Sequence, residues 1–342
     1  MTTAITFRDD HARHAERGHP ERPDRLRAVQ AALDADPALS GLRRIWGTPA
    51  SRTALERVHL PAYLDLVETF CATGGGHLDA DTYATPASWD VATGTCGDLL
   101  ALVDAVCEGE IDNGFALGRP PGHHARPGQA MGFCLVSHVA VAARHAQAEH
   151  GAERVLIVDM DVHHGNGTQE TFLDDGSVLF VSSQQDGIYP GSGTLGETGV
   201  GDGEGATVNL PVPGGTDDAL VELYRAVLPP LAARFRPDLV LLSAGYDAHR
   251  LDPLGGLALS VAGLADLVRV VAEVADTHAG GRLVATLEGG YHADALAASV
   301  AATLHVLRDP AAEVDDPFGP TRTPGPDLSA FTAEILALHG LS

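Results

Sequence analysis

The segment VLIVDMDVHHGNGTQ (155–169) begins as an apolar run without polar alternation and ends in a dense cluster of Asp, His and Asn. A run of that kind is what a parallel strand covered on both faces requires. Polar residues directly after such a strand sit where open α/β sheets bind ligands, outside the carboxyl ends of the strands. Similar runs recur at 4–7, 115–117, 178–181, 207–210, 239–243 and 283–287. Helical patterns occupy 22–35, 62–72, 87–107, 136–149, 217–234, 261–278 and 293–307. The alternation predicts an α/β fold, a doubly wound parallel sheet with helices on both faces. No internal repeat or linker interrupts it, so we expect residues 1–342 to form a single domain with its core at about 4–308. The remainder, 309–342, is rich in proline and acid and is expected to wrap the surface before a short helix at 328–338. A loop at 187–205 carries eight glycines and has the length of a functional rim.

Four strand ends converge on similar chemistry. The 155–159 run leads into Met160-Asp161-Val162-His163-His164, the 239–243 run into Gly245-Tyr246-Asp247, the 283–287 run into Glu288-Gly289-Gly290-Tyr291, and the 115–117 run into Arg119-Pro120-Pro121-Gly122-His123-His124. In extended backbone, residues i and i+2 project to one side, so Asp161 and His163 can grip one cation while Asp159 points the same way behind them. Asp247 would complete three protein ligands with an open position, the pattern of catalytic zinc. Adjacent His123 and His124 are expected to diverge, which suits them to acid/base work and not to a shared metal. Taken singly, the Asp-x-Asp-x-His-His segment also fits a hydrogen-bonded strand end, the His pair a packed loop, and Tyr291 a core residue.

The composition limits the partners. With 22 Lys+Arg against 46 Asp+Glu the net charge is -24, and every basic residue is arginine. Such a field argues against holding nucleic acid by phosphate neutralisation and against docking on anionic lipid. At 44% hydrophobic and 20% charged residues the chain can bury a large core. It contains no apolar run of about 18 residues, so no membrane span is expected. The charged amino terminus lacks the apolar region of a signal peptide, and we expect a cytoplasmic protein. Cys71, Cys96, Cys107 and Cys134 include no C-x-x-C pair and are expected to be reduced and mostly buried.

RPPGHHA (119–125), GFC (132–134), DMDVHHGNGTQ (159–169), SAGYDAHRLDPLGG (243–256) and EGGY (288–291) together resemble the zinc-dependent histone deacetylase superfamily, and HPERPDRL (19–26) resembles its first active-site loop. The likeness spans about 11–307 and is greatest to the class II branch and its bacterial relatives, including histone deacetylase-like and acetylpolyamine amidohydrolases. It implies the arginase/deacetylase fold around an eight-stranded parallel sheet. It implies that Asp161, His163 and Asp247 hold Zn2+, with Fe2+ the competitor for so hard a donor set. His124 would be general base and acid, and His123 its electrostatic partner held by Asp159. Asn166 stands where some members carry aspartate, and an amide there adds no charge, so His124 should be less basic than with a carboxylate. Tyr291 would donate its O–H to the developing oxyanion.

The same resemblance places Phe133, Tyr189 and Gly132 along a substrate tunnel, Asp81 on a loop that grips the substrate backbone, and a K+ site at Asp159, Asp161, His163 and Ser182. Leu254 stands where the polyamine-selective branch has an acidic residue, which favours acyl-lysine in a peptide or protein over an acetylated polyamine. The leading expectation is therefore an N-acyl-lysine deacetylase. The alternatives are an acetylpolyamine deacetylase, an arginase-like hydrolase, which the shortage of carboxylates disfavours, and a non-catalytic acyl-lysine-binding protein. A homo-oligomer is left open.

Overall fold

Eight strands run parallel in the order β2-β1-β5-β10-β9-β6-β7-β8. They are β1 (Thr3–Phe7), β2 (Arg43–Arg44), β5 (Asn113–Leu117), β6 (Val155–Asp159), β7 (Val178–Gln185), β8 (Thr207–Val212), β9 (Leu239–Ala244) and β10 (Leu283–Leu287), while β3 (Gly76–His77) and β4 (Tyr83–Ala84) form a separate hairpin. Among the described residues the α-helices are α1 (Asp24–Ala35), α2 (Arg52–Leu55), α3 (Pro61–Ala72), α4 (Ser88–Cys107), α5 (His138–His150), α6 (Asn166–Phe172), α7 (Asp217–Phe235), α8 (Val261–His278), α9 (Ala293–Arg308) and α10 (Ser329–Leu338). This computed structural model describes residues 1–321 and 325–341; the parts of the expected tail at 322–324 and 342 lie outside the described residues.

The unbroken apolar runs are explained by two cores, one on each face of the sheet. In β6, Val155 and Ile157 enter one core and Leu156 and Val158 the other; in β9, Leu239 and Leu241 part from Val240 and Leu242 in the same way. Side chains alternate across a strand, so a strand with apolar residues at every position needs a packed layer on each side. Helices α4 and α5 cover one face, while α1, α7, α8 and α9 cover the other. Their ends follow local signals. Ser260 caps α8 by accepting the Gly263 N–H at 3.1 Å, and Gly151 ends α5 with a left-handed φ of 66°.

Seven of the eight sheet strands coincide with expected apolar runs, several reaching a few residues further. The eighth, β2, is a two-arginine edge strand with no apolar run to announce it. The described part of the tail packs against the body. Asp316 accepts the Val261 N–H at 2.9 Å, Arg250 donates to the carbonyls of Phe318 (2.6 Å) and Gly319 (2.7 Å), and Ile335 of α10 is buried. All four cysteines are free, and three of them are buried. Among the described residues no helix is long and apolar enough to cross a membrane.

For the site, the decisive fact is that β5, β10, β9 and β6 are consecutive in the sheet. These are the four strands whose carboxyl ends carry the His pair, Tyr291, Asp247 and the Asp161/His163 segment.

Candidate active site

Beyond β6 the chain bends, and Asp161 Oδ1 accepts the His163 N–H at 2.9 Å while lying 3.0 Å from His163 Nδ1. Asp247 Oδ2, from the end of β9, lies 3.2 Å from the same nitrogen. Asp161, His163 and Asp247 thus each offer a donor atom, all within 4.8 Å of one another. The remaining carboxylate oxygens are used by backbone: Asp161 Oδ2 accepts from Gly289 at 2.8 Å and Asp247 Oδ1 from Val162 at 2.9 Å. Asp247 Oδ2 is left buried without a hydrogen bond. Burial, and then the Asp161 charge, push Asp247 up to about 7. A buried oxygen without a hydrogen bond, with a second buried carboxylate within 4.8 Å, is a costly arrangement that a dication relieves, so these residues fit a metal. Gly245 and Gly289 make the close approach possible: a Cβ on either would fall 2.2 Å from Asp161 Oδ2 or 2.0 Å from Asp247 Oδ2.

The histidine pair departs from expectation. The rings of His123 and His124 do not diverge; their centroids are 4.0 Å apart. The cause is the turn beneath them. Glu288, buried at the end of β10, accepts both the Gly122 N–H (2.6 Å) and the His123 N–H (3.1 Å), and Ala125 N–H closes back on the Gly122 carbonyl at 3.0 Å. Each ring has its own anchor: His123 Nδ1 lies 3.0 Å from Asp159 Oδ2, and His124 Nδ1 lies 2.8 Å from Asn166 Oδ1. Burial lowers the basicity of both. For His123 the carboxylates of Asp159 and Asp161 outweigh it and raise the ring to about 10. For His124, with only an amide behind it, burial and the charges of His123 and His163 hold the ring well below its usual value. The two rings of the pair are thus shifted in opposite directions.

Tyr291 is anchored through its backbone. Asp252 Oδ2 accepts the N–H of Tyr291 at 2.6 Å and of His292 at 3.0 Å, Arg25 lies 4.9 Å over the phenol ring, and Phe133 meets that ring edge-on at 5.7 Å. Burial raises the phenol well above its ordinary value, so it keeps its proton. Tyr189 stands edge-on to His124 at 5.1 Å. Phe133 holds a φ of 68°, rare for a residue with a side chain, and Gly132 before it has no room for one, since a Cβ would fall 2.3 Å from the His124 ring. Phe133 N–H donates to Thr82 Oγ at 3.1 Å, and that hydroxyl donates to Asp81 at 3.1 Å, which brings the Asp81 loop against the Phe133 wall. Leu254 is 37% exposed, and its N–H donates at 3.0 Å to the same Asp252 that holds Tyr291. The register of β6 on β7 sets Asp159 opposite Ser182, whose buried hydroxyl has no hydrogen-bond partner, a fit for a monovalent cation.

Several residues of the site carry charge that sequence reading does not distinguish from surface charge. Glu21 is fully buried and receives Arg119 in bidentate fashion at 2.7 and 2.6 Å, with Arg25 at 3.2 Å. Arg25 in turn donates to the carbonyls of Gly290 (2.6 Å) and Glu288 (2.5 Å), tying residues 21–25 to the loop that carries Tyr291. Glu288 and Asp252 belong to the same framework. Their only prior signal is membership of the segments HPERPDRL, RPPGHHA, SAGYDAHRLDPLGG and EGGY.

Residues 19–307 match the histone deacetylase domain. The chain is 41% identical over 280 residues to the histone deacetylase-like amidohydrolase of Pseudomonas aeruginosa, covering 81% of this chain and 73% of that protein. It is 40% identical over 319 residues to polyamine deacetylase HDAC10 of Homo sapiens, covering 89% of this chain and 47% of that one. The crystal structure of the HDA15 HD domain superposes with a TM-score of 0.89 at 37% identity, covering 99% of this chain and 95% of that chain.

Proposed function

The chain belongs to the histone deacetylase family and is a deacetylase, and from that premise we propose that it removes acyl groups, acetyl first among them, from N-acyl-lysine side chains of peptides or proteins. The observation that carries the reading is the meeting of the Asp161/His163/Asp247 donor group with the His124 imidazole, whose ring lies 6.0 Å from that of His163. Asp161, His163 and Asp247 would hold Zn2+, which when bound polarises the acyl carbonyl and lowers the pKa of a water. His124 accepts the proton of the attacking water at Nε2, because Nδ1 faces Asn166, and later returns a proton to the leaving amine. His123, cationic between Asp159 and Asp161, keeps its proton and stabilises negative charge beside His124. The Tyr291 O–H donates to the carbonyl oxygen as it becomes negative. Phe133 and Tyr189 would flank the apolar stem of the substrate, and Asp81 would hold its backbone. Asp159, Asp161, His163 and Ser182 would hold K+ behind the site.

Acyl-lysine is preferred over an acetylated polyamine because Leu254 offers nothing to bind a second ammonium. A net charge of -24 suits cationic residues flanking the neutral acylated amine, with association rates that fall as salt rises. The test compares kcat/KM for an acetyl-lysine peptide and for N-acetylputrescine. The peptide is expected to win by at least about tenfold, a difference of about 1.4 kcal/mol. A preference for the polyamine would sink the acyl-lysine reading while leaving the deacetylase intact. Chelation is expected to abolish both activities, and added Zn2+ to restore them.

A further inference from the structure

A second group of metal-donor side chains lies between α4 and α5. Helix α4 ends at Cys107 shortly before β5 begins at Asn113, and α5 ends at His150 shortly before β6 begins at Val155. The group therefore sits at the amino edge of the sheet, remote from the strand ends that carry the reacting residues. His145 Nε2 and His150 Nε2 each lie 2.6 Å from the same oxygen, Asp104 Oδ1. The three donor atoms fall within 4.8 Å of one another.

Three features distinguish this arrangement from an ordinary helix-surface ion pair. Two imidazoles converge on a single carboxylate oxygen from one helix to the next, and their rings, 5.8 Å apart and inclined by 67°, do not stack. Both imidazole side chains are largely withdrawn from solvent, at 14% and 15% exposure, while Asp104 keeps 42%. Asp104 lies in the last turn of α4 and His150 is the last residue of α5, so the negative ends of two helix dipoles meet at this point and favour a cation there. A hollow of about 350 Å³ bordered by Asp104, His145, Glu149 and Arg57 leaves room for water at a further coordination position.

Two imidazole nitrogens and one carboxylate are a donor set for a zinc-class ion. We propose that Asp104, His145 and His150 form a second divalent-metal site that clamps the carboxyl ends of α4 and α5. Each imidazole presents its Nε2 lone pair with the proton on Nδ1, the carboxylate is ionised, and water completes the shell. The site takes no part in the reaction and does not depend on the substrate assigned above.

The test counts metal. Protein dialysed against a zinc buffer and desalted is measured by inductively coupled plasma mass spectrometry, for wild type, for His145→Ala/His150→Ala, and for both again in an Asp161→Ala background. Wild type is expected to carry one zinc more per chain than the double variant, and the same difference is expected where Asp161→Ala has broken the other donor group. The double variant is expected to keep wild-type deacetylase activity, which also reports its folding. Should it fail to fold, Asp104→Asn, which preserves the shape of the side chain, decides by the same count. Equal zinc in wild type and in the folded variant overturns the proposal.

Discussion

Tyr291→Phe is expected to lower kcat by about 10²–10³, a loss of about 2.7–4 kcal/mol, with KM changed little. The size follows from where the hydroxyl acts. Burial raises the phenol so that it keeps its proton, and as the proposed donor it would make a hydrogen bond that strengthens only as charge develops on the substrate oxygen. Phenylalanine keeps everything else. The ring still lies beneath Arg25 and against Phe133, and the backbone N–H still donates to Asp252 at 2.6 Å. Unchanged Tm and zinc content, measured beside kcat on an acetyl-lysine peptide, separate the lost donor from a damaged fold. A variant with near wild-type kcat would mean that the oxyanion is held by other groups.

What sequence made readable, and what it did not, divides along physical lines. The sheet was readable because a strand buried on both faces is apolar at successive positions, as in Val155 to Val158 and Leu239 to Leu242. The donor group was readable because i, i+2 spacing and strand ends are properties of one short segment at a time. Strand β2 was not, since Arg43 and Arg44 pair at the sheet edge through backbone alone. Nor was the close approach of the His123 and His124 rings, tilted by 41° at 4.0 Å, on a turn held by Glu288 from a segment 165 residues away. Glu21, Arg25 and Arg119 look like solvated charges in the sequence. Their burial depends on partners 98 residues apart for Glu21 and Arg119, and 265 apart for Arg25 and Gly290, a relation no local pattern records.

That buried network underlies the largest stability effect we expect. Arg119→Met should destabilise the protein by about 3–5 kcal/mol at pH 7, because it leaves a buried carboxylate short of its principal counter-charge. Arg119 also donates to the carbonyls of His11 and His14, both at 2.7 Å, so the variant orphans two further acceptors. The pH dependence fixes the cause. Burial alone would raise the Glu21 pKa; Arg119, the His14 hydrogen bond and their charges overcome it and hold the carboxyl well below its usual range. A depressed folded-state pKa contributes stability that is fully present above the unfolded value of about 4.3 and is lost as pH falls through the folded value. In Arg119→Met that depression is weakened, so less is lost on acidification. The gap between wild type and variant, measured by urea unfolding, should therefore be widest near neutrality and narrow as pH falls below about 4.3. A gap that stays constant with pH would assign the effect to lost packing around the Arg119 stem and not to the ion pair.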